Sequence, residues 1–178
     1  MSLPKTVVTE RAQRVRLLLL DVDGVLTDGS VAIGSDGHES KRFFIRDGLA
    51  VKWAQRHGLE VGLLSGRSSD ATTSRARELG IELVIQVGPE KREPFLALLA
   101  ARGLTTDQVA YMGDDLVDLP VMTRVGLAGA PSDAVAEVVA RAHWVSAYAG
   151  GRGAVREFIE LILQARGNWD TVLAPYQD

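Results

Sequence analysis

The most informative part of this sequence is LLLLDVDGVLTD at residues 17–28. Four consecutive leucines before a glycine turn predict a strand covered on both faces, because a half-exposed strand would alternate apolar and polar residues. Strands of this kind form parallel sheets between helices, and ligands bind just beyond their carboxyl ends. Asp21 and Asp23 occupy that position, where a solvated turn is the alternative interpretation. We therefore expect the chemistry of this chain at the end of this strand.

Length, charge and composition restrict the possible functions. The 178 residues suit a single domain, here 1–178, and the 20 Lys and Arg are scattered around a formal net charge of −3, which predicts no nucleic-acid partner. The absence of cysteine excludes disulfides, a thiol nucleophile and a thiolate metal site. Residues 1–16 lack the apolar core of a signal peptide, and no apolar run approaches the roughly 20 residues of a membrane span. We expect a cytoplasmic protein that binds no membrane.

Short apolar segments alternate with helical ones along the chain, and this alternation predicts an α/β fold with a parallel sheet. The predicted strands are 15–22, 60–64, 82–87, 109–112, 125–128 and 143–145. The apolar residues at 155, 158, 159 and 162 share one face of a predicted helix that should cover the sheet.

One segment, at about 29–45, interrupts the alternation. Val31 and Ile33 alternate with small residues before a GSDG turn, and alternation resumes at Phe43 and Ile45. This pattern predicts a β-hairpin inserted directly after the acidic motif. A lone hairpin is marginal in water, so its apolar side chains should pack elsewhere, either as a lid over the site or at a subunit interface.

A second strand runs into a small polar loop, LLSGR at 63–67. Ser65 and the backbone amides that open the next helix would hold a phosphate oxygen. The alternative is a helix N-cap at Ser65 or Ser68, which does not exclude such a role.

A third strand ends in MGDDLVD at 112–118. If the strand ends converge, Asp114 meets the two carboxylates of the first motif, and clustered like charges are costly unless a cation neutralises them. A hard ion with oxygen ligands, such as magnesium, fits this set. Asp115 and Asp118 are also explained as first-turn acids that favour the helix dipole.

Lys91 follows the GPE turn at 88–90, at the start of a predicted helix. Most lysines are solvated surface charges. At the mouth of an acidic phosphate site, however, Lys91 would pair with phosphoryl oxygens and with a nucleophilic carboxylate.

The order and spacing of these motifs resemble those of the haloacid dehalogenase-like phosphohydrolases. The four matching motifs are Asp21-x-Asp23-Gly-x-x-Thr27-Asp28, Ser65-Gly66-Arg67, Lys91 and Gly113-Asp114-Asp115-x-x-Asp118. A capless subclass that acts on phosphorylated sugar acids is similar over a longer stretch, through Gly37-x-Glu39-x-Lys41-x-Phe43, Asp47-Gly48, Asp133-Ala134 and GGRGAVRE at 150–157.

The resemblance implies a Rossmann-like three-layer sandwich with a parallel sheet, a β-hairpin after the first strand and no large cap domain. It implies a magnesium-dependent phosphatase of an eight-carbon sugar acid phosphate in lipopolysaccharide precursor biosynthesis, with a nine-carbon sialic-type acid as the alternative substrate. It also implies a homotetramer in which hairpins associate and a neighbouring subunit completes the pocket.

The resemblance assigns roles as well. Asp21 would attack phosphorus, and Asp23 would act as general acid and then general base. The magnesium ligands would be the Asp21 side chain, the Asp23 carbonyl and the Asp114 side chain. Lys91 would stabilise the phosphoryl oxygens with Ser65. The remaining candidates are Gly66, Arg67 and Arg152 for phosphate or substrate, and Asp115 and Asp118 in support, with Asp118 positioning Lys91.

Several alternatives stay open. The 150–153 glycine loop is equally well explained as a helix-entry turn. Asp47 is expected to cap the helix that follows it. Residues 168–178 could fray or reach into a neighbour's site. A receiver-type signalling domain shares clustered Asp and a Lys, but the middle strand at 82–86 offers no Asp; a non-catalytic oligomerisation module would not need the intact acid set.

Overall fold

The computed structural model describes residues 3–177, and its centre is a six-stranded parallel sheet. In that range the strands are β1 (Leu17–Leu20), β2 (Ala32–Ile33), β3 (Glu39–Ser40), β4 (Glu60–Ser65), β5 (Leu83–Gln86), β6 (Val109–Met112), β7 (Leu127–Ala130) and β8 (Trp144–Val145). All predicted sheet strands are present, with ends within two residues of the predicted ones.

The sheet order is β5-β4-β1-β6-β7-β8. The chain moves outward from β1 to β5 on one side and then builds β6 to β8 on the other. A crevice opens where two neighbouring connections diverge in this way, so the carboxyl end of β1 is the expected ligand site.

Helices cover both faces of the sheet and make a three-layer sandwich. They are α1 (Lys5–Gln13), α2 (Ile45–Arg56), α3 (Asp70–Leu79), α4 (Arg92–Arg102), α5 (Leu119–Met122), α6 (Ala136–Val139), α7 (Ala154–Ala165) and α8 (Trp169–Leu173), with 3-10 turns at Thr106–Gln108, Leu116–Asp118 and Ala174–Tyr176. Leu18 and Leu20 of β1 face the core with α1, α2, α3 and α7. Leu17 and Leu19 face the opposite core with α4, α5 and α6. The α/β prediction is confirmed.

The hairpin is present but shorter than predicted over 29–45. Only β2 and β3 pair, around the predicted turn at 34–37. The prediction that strand alternation continues through Phe43 and Ile45 is wrong. Phe43 packs against the core with the Arg75 guanidinium 5.6 Å above its ring, and Ile45 already begins α2. Packing against helices therefore fixes the conformation of the chain after β3. The hairpin's few backbone hydrogen bonds are not enough to extend the strand further.

The C-terminal residues pack on their own chain as far as residue 177. Trp169 of α8 lies edge-to-face on Trp53, with ring centroids 5.8 Å apart, and the Trp53 indole N–H donates to the Tyr176 hydroxyl at 3.2 Å. Residues 168–177 are therefore ordered against their own chain and not frayed; Asp178 lies outside the described residues.

Among residues 3–177, none of the helices combines the length and the apolar character that crossing a membrane requires.

Candidate active site

Four loops meet at the carboxyl ends of β1, β4, β5 and β6 and enclose a cleft of about 310 Å³. The lining residues are Asp21, Asp23, Gly29, Gly66, Arg67, Pro89, Lys91, Asp114, Asp115 and Val117. The structure therefore brings together the motifs that are more than 90 residues apart in sequence. This convergence follows from the sheet order, since parallel strands end at the same edge.

Asp21 and Lys91 form the buried centre of the cleft. Lys91 Nζ lies 2.8 Å from Asp21 Oδ1 and 2.7 Å from Asp118 Oδ1, and the Lys91 side chain is fully buried. The surface-charge alternative for this lysine is therefore wrong. Burial lowers the pKa of Lys91, but Asp21 and Asp118 outweigh it and the net pKa is raised. Lys91 is a fixed positive charge beside the carboxylate of the first motif.

Asp118 is fully engaged by the protein. Its Oδ1 accepts from Lys91 and from the Tyr111 hydroxyl at 2.6 Å, and its Oδ2 accepts from the N–H groups of Asp114 and Asp115 at 2.9 and 3.1 Å. Such a carboxylate holds its neighbours in place and has little capacity left for a ligand. Tyr111, which the sequence analysis did not assign a role, belongs to this network.

The acidic cluster fits a divalent cation. Carboxylate oxygens of Asp21, Asp114 and Asp118 lie within 4.8 Å of one another, and Asp114 Oδ1 is buried without a hydrogen-bond partner among the described residues. Burial, with the charges of Asp21 and Asp118, raises the pKa of Asp114 to about 8. Burial and Asp118 also raise the pKa of Asp21, partly offset by Lys91. Since Asp118 is engaged, Asp21 and Asp114 are the side chains available to a cation, which would remove their repulsion.

The glycine of the first motif makes room for this cluster. Gly24 has φ +90°, and a Cβ there would lie 2.1 Å from Asp114 Oδ2. The buried Thr27 hydroxyl accepts from the N–H groups of Gly24 and Gly29, which fixes the turn. The loop after β1 can therefore approach Asp114 only with glycine at position 24.

Ser65 ends β4 and organises its own loop. Its hydroxyl accepts from the Arg67 N–H at 3.2 Å and donates to the Arg67 carbonyl at 3.1 Å. The N-cap residue of α3 is Ser69, so the predicted cap at Ser65 or Ser68 is wrong. Gly66 lies against Lys91 across the cleft. This loop places a buried hydroxyl and backbone amides beside the acidic centre.

Arg67 lies at the rim, with its guanidinium 2.7 Å from Glu39 Oε2 on the hairpin and 3.9 Å from Asp23 Oδ2. Asp23 is also paired with Lys41, whose Nζ lies 2.8 Å from Asp23 Oδ1. The sequence analysis quoted Glu39 and Lys41 in a motif but assigned them no role. Two opposite charges spaced by one residue on a hairpin arm next to an acidic motif were the available signal.

Arg152 is a candidate that the structure does not bring to this cleft, and the buried Ser65 and Asp118 lie behind the cleft's lining residues. Arg152 lines a neighbouring cavity of about 450 Å³ with Phe44 and Tyr148. The glycine loop beside it packs backbone against backbone with the first motif, because a Cβ at Gly150 would lie 1.8 Å from the Gly24 carbonyl oxygen. The loop therefore braces the first motif and also leads into α7, whose N-cap is Gly153.

Asp47 caps a different helix from the expected one. It lies in the first turn of α2, where no side-chain cap is formed, and its Oδ1 accepts from the Arg156 N–H of α7 at 2.9 Å. The prediction that Asp47 caps its own helix is wrong. The reason is tertiary: α7 packs beside α2 and presents its unpaired N-terminal amides to this carboxylate.

The loop after β6 keeps its acids in two distinct environments. Asp115 is exposed and accepts from the Leu116 N–H at 2.7 Å, capping the 3-10 turn that Asp118 ends. Asp115 is therefore the N-cap of this turn, and the acid in its first turn is Asp118. Asp118 is buried, in contrast, and its partners are those of the cleft.

Curated relatives and solved structures resemble this chain over nearly its whole length. The 3-deoxy-D-manno-octulosonate 8-phosphate phosphatase of Escherichia coli K12 is 43% identical over 163 residues, which cover 92% of this chain and 87% of that protein. The crystal structure of the enzyme of that name from Yersinia pestis matches with a TM-score of 0.90 and 41% identity over 92% of this chain and 89% of its own.

A third relative was solved with ligands. The 3-deoxy-D-manno-octulosonate 8-phosphate phosphatase of Moraxella catarrhalis, in complex with magnesium ion, phosphate ion and KDO, matches with a TM-score of 0.93 and 35% identity, covering 96% of this chain and 98% of that one. No protein-family model matches the sequence.

Proposed function

We infer the function from one premise: this chain belongs to the family of 3-deoxy-D-manno-octulosonate 8-phosphate phosphatases, within the haloacid dehalogenase superfamily. It is a phosphomonoesterase that hydrolyses 3-deoxy-D-manno-octulosonate 8-phosphate to the free sugar acid and phosphate, with magnesium, in lipopolysaccharide precursor biosynthesis. The observation that carries this conclusion is the buried Asp21–Lys91 pair beside the unsatisfied Asp114 carboxylate, in a cleft of a chain 43% identical to such an enzyme.

In the first proposed step, a carboxylate oxygen of Asp21 forms a bond to phosphorus. The bond from phosphorus to the sugar oxygen breaks, its electron pair stays on that oxygen, and Asp23 gives the oxygen its proton. An alkoxide is a poor leaving group, so this proton is worth roughly 10²- to 10⁴-fold in rate. The product is an aspartyl-phosphate, and one difficult displacement is divided into two easier ones.

In the second proposed step, the Asp23 carboxylate takes a proton from water as the water oxygen bonds to phosphorus. The bond between phosphorus and Asp21 breaks, and its electron pair returns to the Asp21 carboxylate. Asp23 therefore ends the cycle protonated, as it began, and Asp21 ends it free. The bond changes balance without any further reactant.

Magnesium would be held by the Asp21 side chain, the Asp23 carbonyl and the Asp114 side chain, and when bound it would neutralise charge between two anions that must approach each other. Lys91 is a second, permanent counter-charge beside Asp21, and Asp118 holds it there. The Ser65 hydroxyl, which in this structure donates to the Arg67 carbonyl, would donate with adjacent amides to the phosphoryl oxygens when substrate binds. Gly66 leaves space for these oxygens at the loop, and Arg67 stands at the rim for the sugar acid.

The assembly and cellular location are part of the proposal. Within the described residues, the chain covers its cleft only with a short hairpin, whose Ile33 is 72% exposed. A homotetramer joined through these hairpins would bury such side chains and add a neighbour's residues to the pocket, where Arg152 could then serve. Its place of action would be the cytoplasm.

Phosphate release across a panel of phosphorylated sugar acids tests the function. We expect release from 3-deoxy-D-manno-octulosonate 8-phosphate with magnesium and none above background with excess EDTA. A nine-carbon sialic-type acid phosphate is the comparison substrate and should have a lower kcat/KM, because pocket shape discriminates by about 1 to 3 kcal/mol per contact. The same or higher kcat/KM for the nine-carbon acid would reassign the substrate, and no release from any member would refute the proposed activity.

A further inference from the structure

Lys41 is the centre of a buried charge cluster that joins the hairpin to Asp23. Its side chain is fully buried, and Nζ lies 2.8 and 3.0 Å from the two carboxylate oxygens of Asp23. Nζ also donates to the Thr72 hydroxyl at 3.3 Å and lies 3.5 Å from Glu39. Nζ donates hydrogen bonds to Asp23 Oδ2 and to Thr72, whereas Asp23 Oδ1 is in ion-pair contact with it and has no hydrogen-bond donor among the described residues.

Of the two carboxylates near Lys41, Asp23 is its main partner. Burying an ammonium is costly unless a charge compensates it closely. Glu39 has its own partners, because its two oxygens accept from the Ser69 hydroxyl and from Arg67, each at 2.7 Å. Asp23 has the shortest contact to Lys41, and among the described residues its other charged neighbour, Arg67, is 3.9 Å away.

The backbone gives this contact its geometry. Lys41 directly follows β3, whose pairing with β2 and whose Glu39 contacts to the loop after β4 tie it to the domain. Thr72 lies buried in α3 and fixes the other side of Nζ. Three separate elements therefore hold one ammonium against one carboxylate.

We propose that Lys41 is a positioning residue for Asp23, so that the hairpin contributes to catalysis within its own chain. This inference rests on the proposed function, in which Asp23 protonates the leaving sugar oxygen. The contacts from Lys41 Nζ hold the Asp23 carboxylate in one orientation at the cleft. Without them Asp23 could turn away from the leaving oxygen, and small losses of alignment between reacting groups cost rate.

The leaving group provides a readout that a merely structural role would not change. A sugar alkoxide needs the proton from Asp23, whereas a nitrophenolate leaves without one. Since both substrates share the second step, the quantity compared is kcat/KM, which reports the steps through release of the leaving group. We expect Lys41→Met to lower kcat/KM for the sugar acid phosphate by about tenfold or more, and kcat/KM for p-nitrophenyl phosphate by less than about threefold. The retained aryl phosphatase activity also reports that the variant folds.

Three further single variants and one double variant complete the test. Lys52→Met, which removes a lysine whose one side-chain hydrogen bond among the described residues is to the Glu78 carbonyl, should leave both kcat/KM values unchanged. Lys41→Gln, which keeps a hydrogen-bonding group without the charge, should show the Lys41→Met pattern more weakly and decides the question if the methionine variant does not fold. Asp23→Asn should give the same substrate dependence, and adding Lys41→Met to it should cost nothing more, because coupled residues are not additive.

Equal losses on the two substrates, or additive losses in the Asp23→Asn Lys41→Met double variant, would overturn the role of Lys41. Those outcomes leave the proposed function standing, because the unmodified protein still releases phosphate. A protein that releases phosphate from neither substrate would instead refute the proposed function itself.

Discussion

Asp114 has a buried carboxylate oxygen that no group in the described chain satisfies, next to two other carboxylates. Without a cation this arrangement opposes folding. The pKa of Asp114 is raised from 3.8 to about 8, so the unfolded chain releases this proton more readily. The stability of the metal-free protein should therefore fall as the pH rises from about 4 to about 8, and bound magnesium should restore it.

Replacing Asp114 by Asn tests that balance. At pH 7 without magnesium, Asp114→Asn should unfold at a melting temperature several degrees higher, because a repulsion worth roughly 2 to 4 kcal/mol is removed. Adding magnesium should raise the Tm of the unmodified protein and leave that of the variant nearly unchanged. Thermal unfolding with and without magnesium measures both effects.

Asp107→Asn is the matched control, because Asp107 is an exposed acid far from the cleft motifs. It should keep the magnesium-dependent increase in Tm. If magnesium raised the Tm of Asp114→Asn as much as that of the unmodified protein, magnesium binding would not depend on the Asp114 carboxylate.

Residue identity predicted the acids of the cleft better than its lysines. Asp21 and Asp114 stand out in sequence because each follows an apolar strand. Lys91 and Lys41 do not, since an isolated lysine is normally solvated. Both are fully buried because carboxylates from distant segments neutralise them, and that pairing exists only after the strands have assembled.

Among the secondary-structure elements, the strands of the sheet were predictable from sequence. The contacts between elements were not. The strand β6 was predicted to the residue because four consecutive apolar or aromatic residues are buried on both faces. The hairpin's second arm was not, because Phe43 follows the core instead of the ladder. Asp47 likewise has a partner 109 residues away, which no local pattern announces.

The contact between the buried Asp47 of α2 and the Arg156 N–H of α7 predicts that stability depends on pH. Burial raises the pKa of Asp47 from 3.8 to about 6, despite the hydrogen bond from α7. Its raised pKa favours folding below about pH 4, and that contribution is lost as the pH rises through 6. Between pH 4 and 7, the unfolding free energy of the unmodified protein should fall by about 2 to 3 kcal/mol relative to Asp47→Asn.

Urea unfolding of both proteins across this pH range measures the difference. Asp70→Asn, at an exposed acid in the first turn of α3, serves as the control and should show no such trend. If the difference in unfolding free energy between the unmodified protein and Asp47→Asn did not vary with pH, the raised pKa of Asp47 would be contradicted.

In the molecule as a whole, the candidate catalytic residues lie at one edge of the sheet. The hairpin beside them carries an exposed apolar side chain. Ile33 lies on β2 with 72% of its surface in water, which is unfavourable unless another chain covers it. The proposed homotetramer would cover it, and a mass measurement tests that assembly.

Ile33→Asp should reduce the oligomer to smaller species. Assembly through the hairpins would bury the new carboxylate without a counter-charge, which is costly. Light scattering after size exclusion at micromolar concentration gives the mass. The control Ala97→Asp, on the exposed side of α4, should keep the mass of the unmodified protein. A monomer in the unmodified protein would contradict the assembly.

Asp21 is the proposed nucleophile of a magnesium-dependent phosphatase, and phosphate release by Asp21→Asn is the decisive measurement of that role. With 3-deoxy-D-manno-octulosonate 8-phosphate and magnesium, we expect the variant to fold, as its thermal transition will show, and to release no phosphate above background. Full activity in the folded variant would contradict that role.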